Sequence, residues 1–584
     1  MSVDTVNREK FMPFEILTLH DTTWQIDATV TKKVEAEEVA NQMLSEPGVT
    51  GVRIVLDNVL IAKSIDQLED EDIIFEKLKE AGQEKIFIND IDEAPDCSVA
   101  QDLLLTPSRK AINRLFRRYL DKNNITAIEA LHNSKELKRV MDADALVPSA
   151  IAKVSKLQAD PELGNANERR DTLFEFVQAI TEDARKAEEK PLPKIDSTNF
   201  DQSVATIDGM SQGDDFEHLL NAAITKQLID IRDWWGKLVQ SIELGEAAQD
   251  SRGVAAIDRF IADILMNNSV IQDLLGDQTD LGSAIIKMLD LSSGSLELGN
   301  IEDMQSGSIE ETKAKLNQLL GSSALLESSQ ILTERVSQQI GGSAALSKTG
   351  EEGERERFDA ILDRLVISDG VKGGGELAQA ILERQTRIIN KGGLTGLKEA
   401  VTTLVSGLSS PARKIAFLLS LGESKKGIEQ LGEHIAAQID HLFLEPTSLN
   451  SMVVTNLPPN QKMQQVTASF HQIEKSDLEA DKKQQIMTKL DDLLFTYIEE
   501  SKIIEKIDNA QRPMHLRALM LVGMCQEEML PKGRASEIPR NIIAAHIKDP
   551  DFNNQLVAQV ENADEKDKVI NRFQAQLKRA QISV

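Results

Sequence analysis

The sequence predicts a mainly α protein. A small N-terminal α+β module of β-β-α-β order precedes a long multi-helix body of antiparallel bundles, solenoid-like in its C-terminal half. Three observations lead there. Aromatic residues are only 4% of the chain, so its cores must be aliphatic, which suits helices. Apolar residues alternate at period two early in the chain and recur at helical spacing after about residue 64. Beyond residue 355, helix-length apolar blocks are separated by short Gly or Ser-Pro breaks, which makes neighbouring helices pack antiparallel.

In the module, residues 1–63, Phe14 and Ile16 open the first alternation and "HDTT" supplies a turn. Trp24, Ile26, Ala28 and Val30 then share one face at period two, as in a half-buried strand. Ala36, Val39, Ala40, Met43 and Leu44 follow at helical spacing until Pro47-Gly48 stops them. Val52, Ile54 and Leu56 give the third strand, and a short fourth one is expected just beyond the Asp57-Asn58 turn. The core expected is Phe14, Ile16, Trp24, Ile26, Val39, Met43, Val52 and Ile54.

Residues 64–189 read as a helical domain with acidic and basic parts, beginning with an acidic helix in "DQLEDEDIIFEKLKE". Residues 190–214, rich in Pro, Asp, Ser and Gly, lack a sustained period and read as a linker. In the helical domain 215–340, Leu220, Ile224, Leu228, Ile231, Trp235, Leu238 and Ile242 predict one long amphipathic helix. Residues 341–356 read as a second linker, and 357–584 as a helical-bundle or solenoid-like domain with helices near 355–367, 375–391, 394–407, 410–421 and 426–443. The C-terminal "KVINRFQAQLKRAQISV" aligns Ile570, Phe573 and Leu577 for packing onto the body.

Charge narrows the function. The chain carries 95 acidic against 66 basic residues, a formal net charge of −29, which opposes binding to polyanions as a whole. Only Cys97 and Cys525 are present, too few for a disulfide framework or a cysteine zinc site, and their acidic neighbours work against thiol activation. No stretch reaches the ~20 apolar residues of a membrane span. His434 and His441 stand seven apart, about 10 Å along a helix, too far to share one ion even with Asp440 nearby. "DGVKGGGEL" places Glu376 where a phosphate loop needs its lysine, so it reads as a turn between helices. No catalytic, cofactor-binding or metal residue is assigned, and no cofactor is expected.

The basic stretch "PSRKAINRLFRRYLDKNN", residues 107–124, is the exception in an acidic chain. Thr106 is placed to cap its helix and Pro107 suits the first position. Ile112, Leu115, Phe116, Tyr119 and Leu120 form a buried stripe, leaving Arg109, Lys110, Arg114, Arg117, Arg118 and Lys122 on other faces. These six, with Trp234 of "RDWWGK", are the candidate partner-binding residues. The expected surroundings are an acidic protein surface, in the same chain or a partner, or solvent alone, as on an ordinary charged helix face. The whole reads as a non-enzymatic, bacterial, cytoplasmic interaction or scaffold protein whose partners are other proteins or further copies of itself. The alternatives are a nucleic-acid-associated regulatory factor using residues 107–139, and an enzyme without a readable motif.

Overall fold

The computed structural model describes residues 13–582 except 21–22, 45, 47, 57–67, 69–71, 79–86, 144, 161–163, 214, 299–303, 306–307, 445, 455 and 559–562. The chain divides into two compact units, Met1–Phe87 and Ile88–Val584. It is mainly helical, with a four-stranded antiparallel sheet in the first unit and a two-stranded antiparallel ribbon, Val366–Ile367 with Gly370–Val371, in the second.

The first unit holds β1 (Phe14–His20), β2 (Thr23–Val30), the helix α1 (Lys33–Met43), β3 (Val49–Leu56) and β4 (Ile73–Leu78). Its sheet has the order β2-β1-β3-β4, antiparallel throughout. Ala36 and Ala40 of α1 pack on Ile16, Val52 and Ile54, with Phe14, Ala28, Val30, Val39 and Met43 around them. Trp24 and Ile26 do not join this core. A bulge sets Ile16 opposite Ala28 but Leu17 opposite Ile26, so Asp27 is an extra residue that shifts the alternation. Ala28 and Val30 therefore stay on the α1 side, whereas Ile26 is exposed and Trp24 stacks under the Arg53 guanidinium at 4.2 Å. A second correction concerns β4. Ile73–Leu78 lies in the stretch expected as an acidic helix, yet it pairs with β3 and carries the first unit past residue 63. The fourth strand expected just after Asp57-Asn58 lies outside the described residues.

The second unit begins as a helical bundle, with Ala166–Glu189 against Leu146–Leu157 and Ser134–Asp142. Inner helices then pack in chain order: Ser251–Leu265 on Leu326–Gly341, that on Gly374–Ile389, and next Pro411–Gly422, Pro459–Lys475, Ala480–Ser501 and Arg534–Ile547. One apolar core runs through them, from Ile128 to Ile582. Phe573 and Leu577 of the last helix, Ala563–Arg579, are buried in it.

Neither expected linker is a free tether. Residues 190–214 contain the helix Phe200–Met210, whose Phe200, Val204 and Ile207 are buried. Their spacing of four and three gives one apolar stripe, too short to stand out among the surrounding polar residues. Between 341 and 356, Leu346 is fully buried, and its carbonyl accepts from Gly282 N–H at 2.7 Å. Arg384 donates to the carbonyls of Gly342 and Ala344, and the next helix already starts at Glu351. The long helix through Leu220–Ile242 is also two helices, Phe216–Leu228 and Trp234–Ala247. Asp233 divides them by accepting the Gly236 N–H, since a capping carboxylate competes with helix continuation.

Candidate functional site

The basic stretch forms two helices, Thr106–Leu115 and Arg117–Asn123, that break at Phe116. Leu105 occupies the capping position, and the Thr106 hydroxyl instead donates to Glu327 at 2.6 Å. Arg109 is fully buried. Its Nε donates to Asp263 at 3.0 Å, its Nη2 to Glu327 at 2.9 Å and its Nη1 to the Leu104 carbonyl at 2.9 Å. Burial alone would lower the Arg109 pKa, but Asp263 and Glu327 outweigh it and hold it above the ordinary arginine value. Burial pushes Asp263 the other way, towards the neutral acid, with Arg109 opposing. The hydrogen bonds decide between the two: both Asp263 oxygens accept N–H groups, from Arg109 and from Ile128, leaving no acceptor for a carboxylic proton. The pair is ionised.

Lys110 continues the docking with Glu334 at 2.7 Å. Arg117 pairs with Asp121 at 2.7 Å and donates to the Met266 carbonyl at 2.5 Å. Beside this contact, Lys237 and Glu129 form a second sealed ion pair, with Glu129 also accepting from Thr126. Three of the six basic side chains thus act inside the chain, holding the first bundle to the helices Ser251–Leu265 and Leu326–Gly341.

The other side of this contact is open. Three adjoining cavities follow the helix Leu326–Gly341. The first, about 340 Å³, is bordered by Lys110, Asn113, Arg114, Arg117, Asn268 and Arg335. The second, about 580 Å³, shares Lys110, Arg114, Glu334 and Gln338 with it. The third, about 530 Å³, shares Glu334, Ser337 and Glu376 with the second and adds Thr333 and Lys372. Because the linings overlap, they make one polar groove.

Arg114 stands on the groove, with its nearest carboxylate, Glu93, at 4.0 Å and 87% exposed. Arg335 has no carboxylate partner among the described residues. It donates to the Met266 carbonyl at 3.0 Å and to the Asn268 side chain. Burial and, after it, the charge of Arg117 draw the Arg335 pKa down to about 10.

Arg118 and Lys122 are exposed and pair with no carboxylate among the described residues. Trp234 is half-buried against the core at the start of its helix, away from the groove-lining set. The groove thus gathers Lys110, Arg114 and Arg117 of the expected residues. It adds Arg335, Lys372 and Asn268, which carry no local signal in sequence. Asp258 and Asp263 do carry one: each is an acid on an otherwise apolar stripe of "VAAIDRFIADIL", and such a residue needs a buried partner.

Elsewhere, Asp440 is paired with Lys482 and His434 is held below the usual histidine range by burial. Burial also pushes the Cys525 thiol up to about 11. Among the described residues no cluster of His, Cys, Asp and Glu is arranged to hold a metal ion, and no helix is long and apolar enough to cross a membrane. The chain matches no known family, no curated protein and no solved structure.

Proposed function

We propose that this is a non-enzymatic cytoplasmic protein–protein interaction or scaffold protein whose recognition face is the groove along Leu326–Gly341. The observation that carries the reading is the overlap of three cavities along one helix. It makes an extended polar surface with amide, hydroxyl and charged groups of both signs, as a polypeptide partner requires. Use of the basic stretch for nucleic acid is disfavoured, because Arg109, Lys110 and Arg117 already neutralise acids of the same chain.

The test is capture of partners by the full chain and by a Ser337→Trp variant, which places a large ring where the second and third cavities meet. Partners held by the wild type should be lost from Ser337→Trp and kept by Arg118→Glu, a change outside the groove. The same set captured by both variants would remove the groove from the reading.

A further inference from the structure

We propose that the cavity bordered by Arg114, Arg117 and Arg335 binds a phosphoryl group, carried either by a small phosphate ester or by a phosphorylated side chain of the groove's partner. Three features of the cavity support this. Arg117 and Arg335 come from helices far apart in sequence, yet both donate to one carbonyl, that of Met266 at the end of Ser251–Leu265. Asp121, paired with Arg117, and the negative end of that helix, worth only about half a charge, offset part of their repulsion. An oxyanion between them would offset the rest.

Charge compensation is incomplete in the same place. Four cations, Lys110, Arg114, Arg117 and Arg335, border the cavity against two carboxylates, Asp90 and Glu334. Both acids are already engaged, Asp90 by Lys153 and Glu334 by Lys110, while Arg117 is offset by Asp121 outside the cavity lining, which leaves Arg114 and Arg335 as the poorly compensated pair. Among the described residues Arg335 has no carboxylate, and Arg114 has only a long contact with one exposed acid. An arginine partly withdrawn from water without a counter-ion costs free energy that an anionic ligand would recover.

The donor arrangement favours phosphoryl over carboxylate. A planar carboxylate is satisfied by one guanidinium fork, whereas a tetrahedral phosphoryl oxygen set accepts donors from several directions. Here guanidinium groups from three positions are joined by the amides of Asn89, Asn113, Asn268 and Gln338. Arg117 Nη2 and Arg335 Nε have no protein acceptor among the described residues. The cavity also opens towards the second one through their shared Lys110 and Arg114, giving room for whatever carries the phosphoryl group.

Identification of the carrier as a partner's side chain rests on the groove reading; the phosphoryl site itself does not. The full-length protein is titrated calorimetrically with inorganic phosphate, pyrophosphate, a phosphoserine peptide and, as a carboxylate control, succinate. Saturable binding of at least one phosphorylated probe is expected, with succinate at least tenfold weaker. Arg335→Gln and Arg114→Gln should each weaken it at least tenfold, and Arg118→Gln should leave it within twofold. Arg114 is exposed, so its variant keeps the test valid even if Arg335→Gln folds poorly. Tighter binding of the peptide than of the inorganic probes identifies a partner-borne group, and the reverse order a free ester. No saturable binding, binding indifferent to both substitutions, or succinate binding as tightly as phosphate would each overturn the site. Partner capture that still depends on Ser337 in that event would leave the groove standing without it.

Discussion

Arg109 and Asp263 meet at 3.0 Å with both side chains sealed from water, joining segments 154 residues apart. A guanidinium that donates simultaneously to Asp263, Glu327 and a backbone carbonyl is a clamp between bundles. Arg109→Met should therefore cost about 3–5 kcal/mol, because it leaves Asp263 charged and buried. Chemical denaturation followed through the 88–584 unit measures this. An unchanged midpoint would show that the clamp contributes nothing.

The neighbouring Lys237–Glu129 pair separates two meanings of a buried ion pair. Burial draws the Lys237 pKa down and Glu129 opposes it, so the lysine depends on its partner to stay charged. Lys237→Met alone should cost about 3–5 kcal/mol, whereas Lys237→Met with Glu129→Leu should lie much closer to wild type. A double variant as unstable as the sum of the singles would refute pairwise coupling.

Gly253 tests whether residues 190–214 tether or pack. In an exposed helix Gly→Ala stabilises by about 0.5–1 kcal/mol. A Cβ at Gly253, however, would lie 2.7 Å from the buried Phe200 ring, from the helix inside that expected linker. Gly253→Ala should therefore destabilise by about 1–3 kcal/mol. A gain in melting temperature would return Phe200–Met210 to the status of a loose segment.

Such positions mark where sequence reading succeeds and where it stops. The helices over Gly374–Ile389, Gly393–Gly407 and Pro411–Gly422 are legible because each has a sustained apolar stripe and glycine or Ser-Pro punctuation. "IIFEKL" is not, because over six residues its apolar positions suit a helix as well as a strand; pairing with β3 decides. The docking role of the basic stretch is half legible: a counter-charge is demanded by composition, but Asp263, Glu327 and Glu334 lie too far along the chain for any local rule to select them. Arg335 is silent for the same reason. Its meaning arises only where Met266 brings it to Arg117.

In the first unit the bulge at Ile16 and Leu17 predicts unequal costs for Ile54 and Trp24. Ile54→Ala removes a fully buried side chain and should cost about 2–5 kcal/mol. Trp24→Ala removes a half-buried ring and its stacking on Arg53, and should cost about 1–2 kcal/mol despite the larger side chain. Urea titration of both variants checks the order. Equal losses would mean that Trp24 belongs to the core after all.

His132 supplies a pH dependence with a definite sign. It is buried, its ring lies 4.9 Å from that of His218, and its Nδ1 meets the Ile128 carbonyl at 2.8 Å. Burial first and His218 second draw its pKa from 6.5 to about 3, with Arg109 and Arg259 adding positive charge nearby. In the folded chain it stays neutral through mild acid, whereas in the unfolded chain it takes up a proton below about pH 6.5. Its contribution is therefore fully present above pH 6.5 and is lost as pH falls towards 3, at about 1.4 kcal/mol per pH unit. Between pH 7 and pH 5 the wild type should lose about 2 kcal/mol through this group alone. His132→Phe keeps a ring in the site but removes the titration, so its stability should fall less over the same interval, whatever its absolute value. Denaturation curves for both proteins at the two pH values give the difference directly, and parallel losses would show that His132 is not protonated preferentially in the unfolded chain.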